Sequence, residues 1–110
     1  MESVINATTV LDSVHLTDLP PMTTLLVWTM NSFYRVVVTD GASVFVQGGT
    51  YFPEPTSAYV DGASISGGGR LMVGGIGVGL LIEFHTGTTR VVTSPVLAIT
   101  RERSAYDIVH

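Results

Sequence analysis

From Thr24 onward the chain reads as runs of β-formers broken at Gly, Asn, Asp or Pro, with apolar positions spaced by a period of two over Ala42–Gln47 and in the stretch 71–84. Period two is the strand period. Thr24-Leu-Leu-Val-Trp-Thr-Met30 is rich in β-formers, Met30-Asn-Ser-Phe33 has the chemistry of a tight turn, and Phe33-Tyr-Arg-Val-Val-Val-Thr39 resumes a strand. Asp40-Gly41 is a strong hairpin signal. After it Ala42, Val44 and Val46 face one way and Ser43 and Gln47 the other, with Phe45 as the exception. A three-stranded meander is predicted.

Gly48 to Gly62 reads as a long irregular connection, with Pro53 and Pro55 ruling out a central strand around Glu54. A brief strand is expected near Ala58–Val60 or Ala63–Ile65, and Gly67–Gly69 as a flexible break. Residues 70 to 87, RLMVGGIGVGLLIEFHTG, admit three readings: a membrane segment, a phosphate loop or a strand. A membrane helix needs about 20 apolar residues, and this run is shorter and broken by glycine. Gly75-x-Gly77-x-Gly79 lacks the Lys-Ser/Thr and the following helix of a phosphate loop. The even row Met72, Ile76, Val78, Leu80, Ile82 and Phe84 is apolar, whereas Gly75, Gly77 and Gly79 leave the odd row bare. One long strand over 71–84 is predicted, its bare row marking a sharp bend or close packing under Trp28 or Phe45.

His85-Thr-Gly-Thr-Thr89 predicts a turn, Arg90–Thr93 a strand, Ser94-Pro95 a bulge or edge position, and Val96–Thr100 a further strand. Residues 2–19 lack sustained helical spacing, so a short helical turn over 9–15, a strand or a loose arm are all open until Pro20-Pro21 stops the segment. The class is all-β with little helix: a small, strongly bent barrel or two packed antiparallel sheets, of about six strands. The chain reads as one domain, with residues 1–22 as an arm, 23–100 as the β core and 101–110 as a tail.

Composition narrows the partners. The chain has 110 residues, no Cys and a net charge of −4. Without Cys, disulfides and thiolate chemistry are excluded, which is compatible with a cytoplasmic location. MESVINATTV has no basic region before an apolar core, so no secretory signal is expected and the Asn6-Ala-Thr8 sequon carries no weight. Every basic residue is Arg, at 35, 70, 90, 101 and 103, and these are too scattered to track a nucleic-acid backbone. Only 13% of residues are charged, against about 25% in ordinary soluble domains. Few ions on a small surface point to a homo-oligomer or a protein partner.

Candidate chemistry is sparse. Glu83 and His85 share a face just beyond the glycine row and form a possible acid–base pair, although solvent exposure at a strand end explains both more simply. A metal site needs about three or four ligands, and His15 and His110 offer no recognisable spacing to His85. Ser94 lacks the strand–turn–helix elbow of a catalytic serine. The best binding candidate is the predicted long loop, with Tyr51, Phe52, Glu54, Tyr59 and Asp61. A second candidate is the bare face of Gly75, Gly77 and Gly79 with Glu83 and His85 beside it. No catalytic residues, metal or cofactor are assigned. The expected function is a non-enzymatic assembly or interaction module; a small-ligand-binding barrel is the alternative, and an enzyme using Glu83 and His85 ranks third.

Overall fold

Eleven strands, all paired antiparallel, build the fold in the computed structural model, which describes residues 8–65 and 68–102. In chain order they are β1 (Thr8–Leu11), β2 (Ser13–His15), β3 (Thr24–Thr29), β4 (Phe33–Asp40), β5 (Ser43–Gly48), β6 (Phe52–Ile65), β7 (Gly68–Val73), β8 (Gly75–Gly77), β9 (Leu81–Thr86), β10 (Thr89–Val92) and β11 (Val96–Glu102). A 3-10 turn, Leu16–Asp18, follows β2. Nine strands form one sheet in the order β1-β11-β3-β4-β5-β6-β9-β10, with β7 also on β6; β2 and β8 pair separately.

The all-β class with packed antiparallel sheets stands, and the sheet is not a closed barrel. It bends far enough for β11 to return to the chain before β9: Val96 N–H donates to Leu80 O at 2.9 Å, and Gly79 N–H donates to Val96 O at 2.8 Å. The small β2–β8 sheet is tied on by Leu16 N–H to Gly74 O and Gly74 N–H to Asp61 O, each at 3.0 Å. Alternate residues fill the interior, among them Val27, Val36, Val46, Ile76, Ile82 and Phe84, all fully buried. Each such side chain contributes about 1.5–3 kcal/mol by leaving water.

The meander forms as its pattern requires. Thr29 N–H and Ser32 O close the first hairpin at 2.8 Å. Gly41, with φ 59°, supplies the second at the Asp40-Gly41 signal. Ala42, Val44 and Val46 are buried while Phe45 is exposed on the outer face.

Other expectations are corrected. The strand count of about six is too low, because short strands separated by single turns do not show as separate apolar runs. The chain from 71 to 84 is not one ribbon: β7, β8 and β9 are separated at Gly74 (φ 67°) and around Gly79 (φ 87°). Each left-handed glycine restarts the alternation, so Ile76, Ile82 and Phe84 are buried, whereas Val78 lies exposed and Leu80 half-buried.

The long irregular connection is also overturned. Only Gly49–Tyr51 is a turn; β6 runs from Phe52 through the predicted brief strands and pairs with β7 across the predicted glycine break, of which Gly67 lies outside the described residues. Pro53 and Pro55 are tolerated because that part of β6 pairs with β5 alone; β9 joins only from Tyr59 onward. Of the residues expected as an amino-terminal arm, 1–7 lie outside the described residues; further on, β1 pairs with β11, β2 with β8, and Leu16 is a core residue. Of the expected tail, Arg101 and Glu102 complete β11, and residues 103–110 lie outside the described residues.

Candidate functional site

The chemistry-bearing side chains gather where β6, β9 and β10 lie side by side. Gly87 (φ 59°) and Thr88 make a tight turn with Thr86 opposite Thr89, so Arg90 falls across from His85 and Val92 across from Glu83. Positive φ at the first central residue alone matches a type II′ turn. On the other side of β9, Tyr59 lies opposite His85 and Val60 opposite Phe84. The ladder then slips: Gly62, not Asp61, is the partner of Glu83. Asp61 is thus the extra residue of a β-bulge, a device that re-aims a side chain.

Re-aimed, Asp61 meets His85. Their Oδ1 and Nδ1 atoms are 2.7 Å apart, and the Tyr59 ring lies 5.3 Å from the imidazole. A carboxylate only accepts hydrogen bonds, so Nδ1 carries the hydrogen and Nε2 is the other nitrogen of the ring. Glu83 is engaged elsewhere. Its Oε1 accepts from Arg90 Nη2 at 2.8 Å, and its side chain is 8% exposed whereas that of Arg90 is 61% exposed. Glu83 and His85 therefore share the outer face as expected but hold different partners, and Glu83 is buried rather than at a solvent-exposed end.

The predicted loop residues part company. Tyr51 is exposed in the β5–β6 turn, and Phe52 is a core residue with its ring edge-on to Phe84 at 5.5 Å. Buried there, Phe52 is no contact anchor. Glu54 is exposed between the prolines, where its carbonyl accepts from Thr56 Oγ1 at 2.8 Å. Only Tyr59 and Asp61 reach the cluster. The missed member is Arg90, and its signal is the two-residue spacing of the Gly87-Thr88 turn, which sets Arg90 across from His85.

The glycine face is closed rather than open. A Cβ on Gly75 would come within 2.8 Å of Met72 Cε, and one on Gly77 within 3.1 Å of Leu80 Cδ1. Met72 and Leu80, not Trp28 or Phe45, cover these glycines. Gly79 stands in a turn with open space beside it. Ser94 is a turn residue: its Oγ accepts from Asn31 N–H at 3.0 Å. Among the described residues, no group of three or more His, Asp or Glu is placed to hold a metal ion, and no helix is long and apolar enough to cross a membrane.

The outer face beyond the cluster is broad and poor in charge. Thr24, Val37, Phe45 and Ser57 form one row across β3, β4, β5 and β6. The rings of Trp28 and Phe33, paired across β3 and β4, lie 4.9 Å apart and are both exposed. Comparison with known proteins finds no matching family, no similar curated protein and no similar solved structure.

Proposed function

We propose that this chain is a non-enzymatic β module that assembles with copies of itself through the outer surface and open edges of its large sheet. The observation that carries the reading is the exposure of Trp28, Phe33, Phe45 and Tyr59 on one sheet face, where Arg35 is the charge that β3, β4 and β5 place among them. Aromatic enrichment with depleted charge distinguishes the centre of a protein contact from ordinary surface. Within the β6–β9–β10 cluster Arg90 pairs with Glu83, and Asp61 is hydrogen-bonded to His85.

The ligand-barrel alternative has less support, since Met72 and Leu80 fill the space over Gly75 and Gly77. An enzyme would rest on Asp61 and His85, and among the described residues no serine or threonine hydroxyl is hydrogen-bonded to the imidazole as a nucleophile would be.

Sedimentation velocity of the purified chain over a wide concentration range tests the reading. Reversible self-association is expected, weakened by Trp28→Ser and by Phe45→Ser. A species that stays monomeric at every concentration, with no second protein in native mass spectra of the chain taken from its own cell, overturns it.

A further inference from the structure

The described sheet edges differ in how they are guarded. The first half of β6 carries Pro53 and Pro55, which remove donors. The β6–β7 ladder shifts register at Ala63/Ser64 and again at Ser64/Ile65, so its edge is irregular. β1 is preceded in the chain by residues 1–7, which lie outside the described residues. β10 pairs with β9 in unbroken register and contains no Pro and no bulge. Its one charge, Arg90, is turned back across β9 onto Glu83. Natural edges are blunted by prolines, bulges or outward charges, and β10 has none of these standing free.

The Gly87-Thr88 turn fixes which groups that edge presents. Thr86 and Thr89 flank a two-residue turn and so form a hydrogen-bonded pair, as do Phe84 and Val91 further along. The same phase continues at Thr93, whose N–H donates to Ile82 O at 2.9 Å. Arg90 and Val92 therefore turn their main-chain N–H and C=O groups away from β9, toward the open edge.

We propose that β10 pairs antiparallel with β10 of a second copy, about a two-fold axis through Val91, joining the two large sheets. The inference rests on the self-assembly reading and assigns its interface. The edge is self-complementary in this register: Arg90 of each copy faces Val92 of the other, and about four main-chain hydrogen bonds form. Centring the axis on Arg90 would oppose like charges, which disfavours that register. Centring it on Val92 would set Arg90 against Ser94, beyond the end of the strand and next to Pro95. Such an interface closes on itself as a dimer, whereas β10 against β1 of another copy would be a head-to-tail contact that builds rings or open filaments.

Two substitutions at Val92 test it by sign. Val92→Lys sets a second cation against Arg90 of the partner, twice over by symmetry, and is expected to weaken dimerisation about tenfold. Within its own chain the new lysine faces Glu83, so folding is not penalised. Val92→Glu does the reverse: it faces Glu83 within its own chain, which lowers the melting temperature, but meets Arg90 of the partner and leaves dimerisation of the folded protein as tight or tighter. Sedimentation equilibrium gives the dimer constant, and circular dichroism melts confirm that each variant is folded. A wild type that stays monomeric ends both this proposal and the reading beneath it. A wild type that dimerises while both variants match it, or both shift the same way, overturns the β10 interface alone. Species growing without limit in the wild type overturn the two-fold arrangement.

Discussion

His85 Nδ1 and Asp61 Oδ1 lie 2.7 Å apart because the bulge in β6 sets two residues, Asp61 and Gly62, against the single residue Glu83. In an unbroken ladder Asp61 would stand opposite Glu83, two like charges side by side, which is destabilising. The bulge moves Asp61 off that position and toward the imidazole. Gly62 takes the place opposite Glu83 with φ 149°, a conformation that glycine adopts freely.

The Asp61–His85 contact is part-exposed, with side chains 19% and 41% accessible, so its energy is small. A double-mutant cycle of Asp61→Ala and His85→Ala in urea unfolding is expected to give a coupling of about 0.5 kcal/mol. A coupling above about 2 kcal/mol would mark the pair as a structural fastener comparable to a core side chain.

Gly48 is expected to be among the most sensitive positions in the chain. A Cβ there would lie 2.0 Å from Phe33 O and 2.8 Å from Tyr34 Cα, and neither backbone atom can step aside. Gly48→Ala should cost about 3 kcal/mol or more, since it combines φ 138° with a steric overlap. Gly79→Ala, at φ 87° but with nothing within 4 Å, should cost only about 1 kcal/mol. Thermal or urea unfolding of the two variants side by side checks the difference.

Met22 is strained. Thr23 N–H donates to Pro20 O at 3.3 Å across a turn in which Met22 has φ 71°. This is the third position of a type II turn, where glycine is favoured. The Met22 side chain is exposed and gives little packing in return. Met22→Gly should stabilise the fold by about 0.5–1 kcal/mol, the relief of the left-handed strain less the added freedom of the unfolded chain. A lowered melting temperature would refute this.

Gly77→Val separates packing from ligand binding. Its branched side chain would collide with Leu80 and Met72, already 3.1 and 3.3 Å from a Cβ at that position. Overpacking of this kind costs about 1–3 kcal/mol, and denaturant unfolding should show it. A variant as stable as the wild type would mean that this face is open after all.

How much was legible before folding depended on the range of the interaction involved. The all-β class, the meander over Thr24–Gln47 and the turns at Asp40-Gly41 and Gly87-Thr88 are local matters. Period-two alternation and turn chemistry act between neighbours and single out Glu83 and His85, whereas Tyr59 and Asp61 stand out only as residues of a long loop whose place β6 takes. The partner of Asp61 could not be read in this way. That it meets His85 depends on β6 and β9 pairing across more than a dozen intervening residues with a slip of one position, whereas Arg90 meets Glu83 within the local hairpin closed by Gly87-Thr88.

Phe52 shows the same limit in reverse: an aromatic beside Pro53 looks like a loop anchor, yet its neighbour in space is Phe84. Alternation and turn chemistry along the sequence by themselves determined the all-β class and the buried and exposed faces of the β4–β5 hairpin. Which strands meet, where a ladder slips and what covers a bare glycine were decided only by the tertiary structure, because those contacts join segments whose local patterns carry no record of each other.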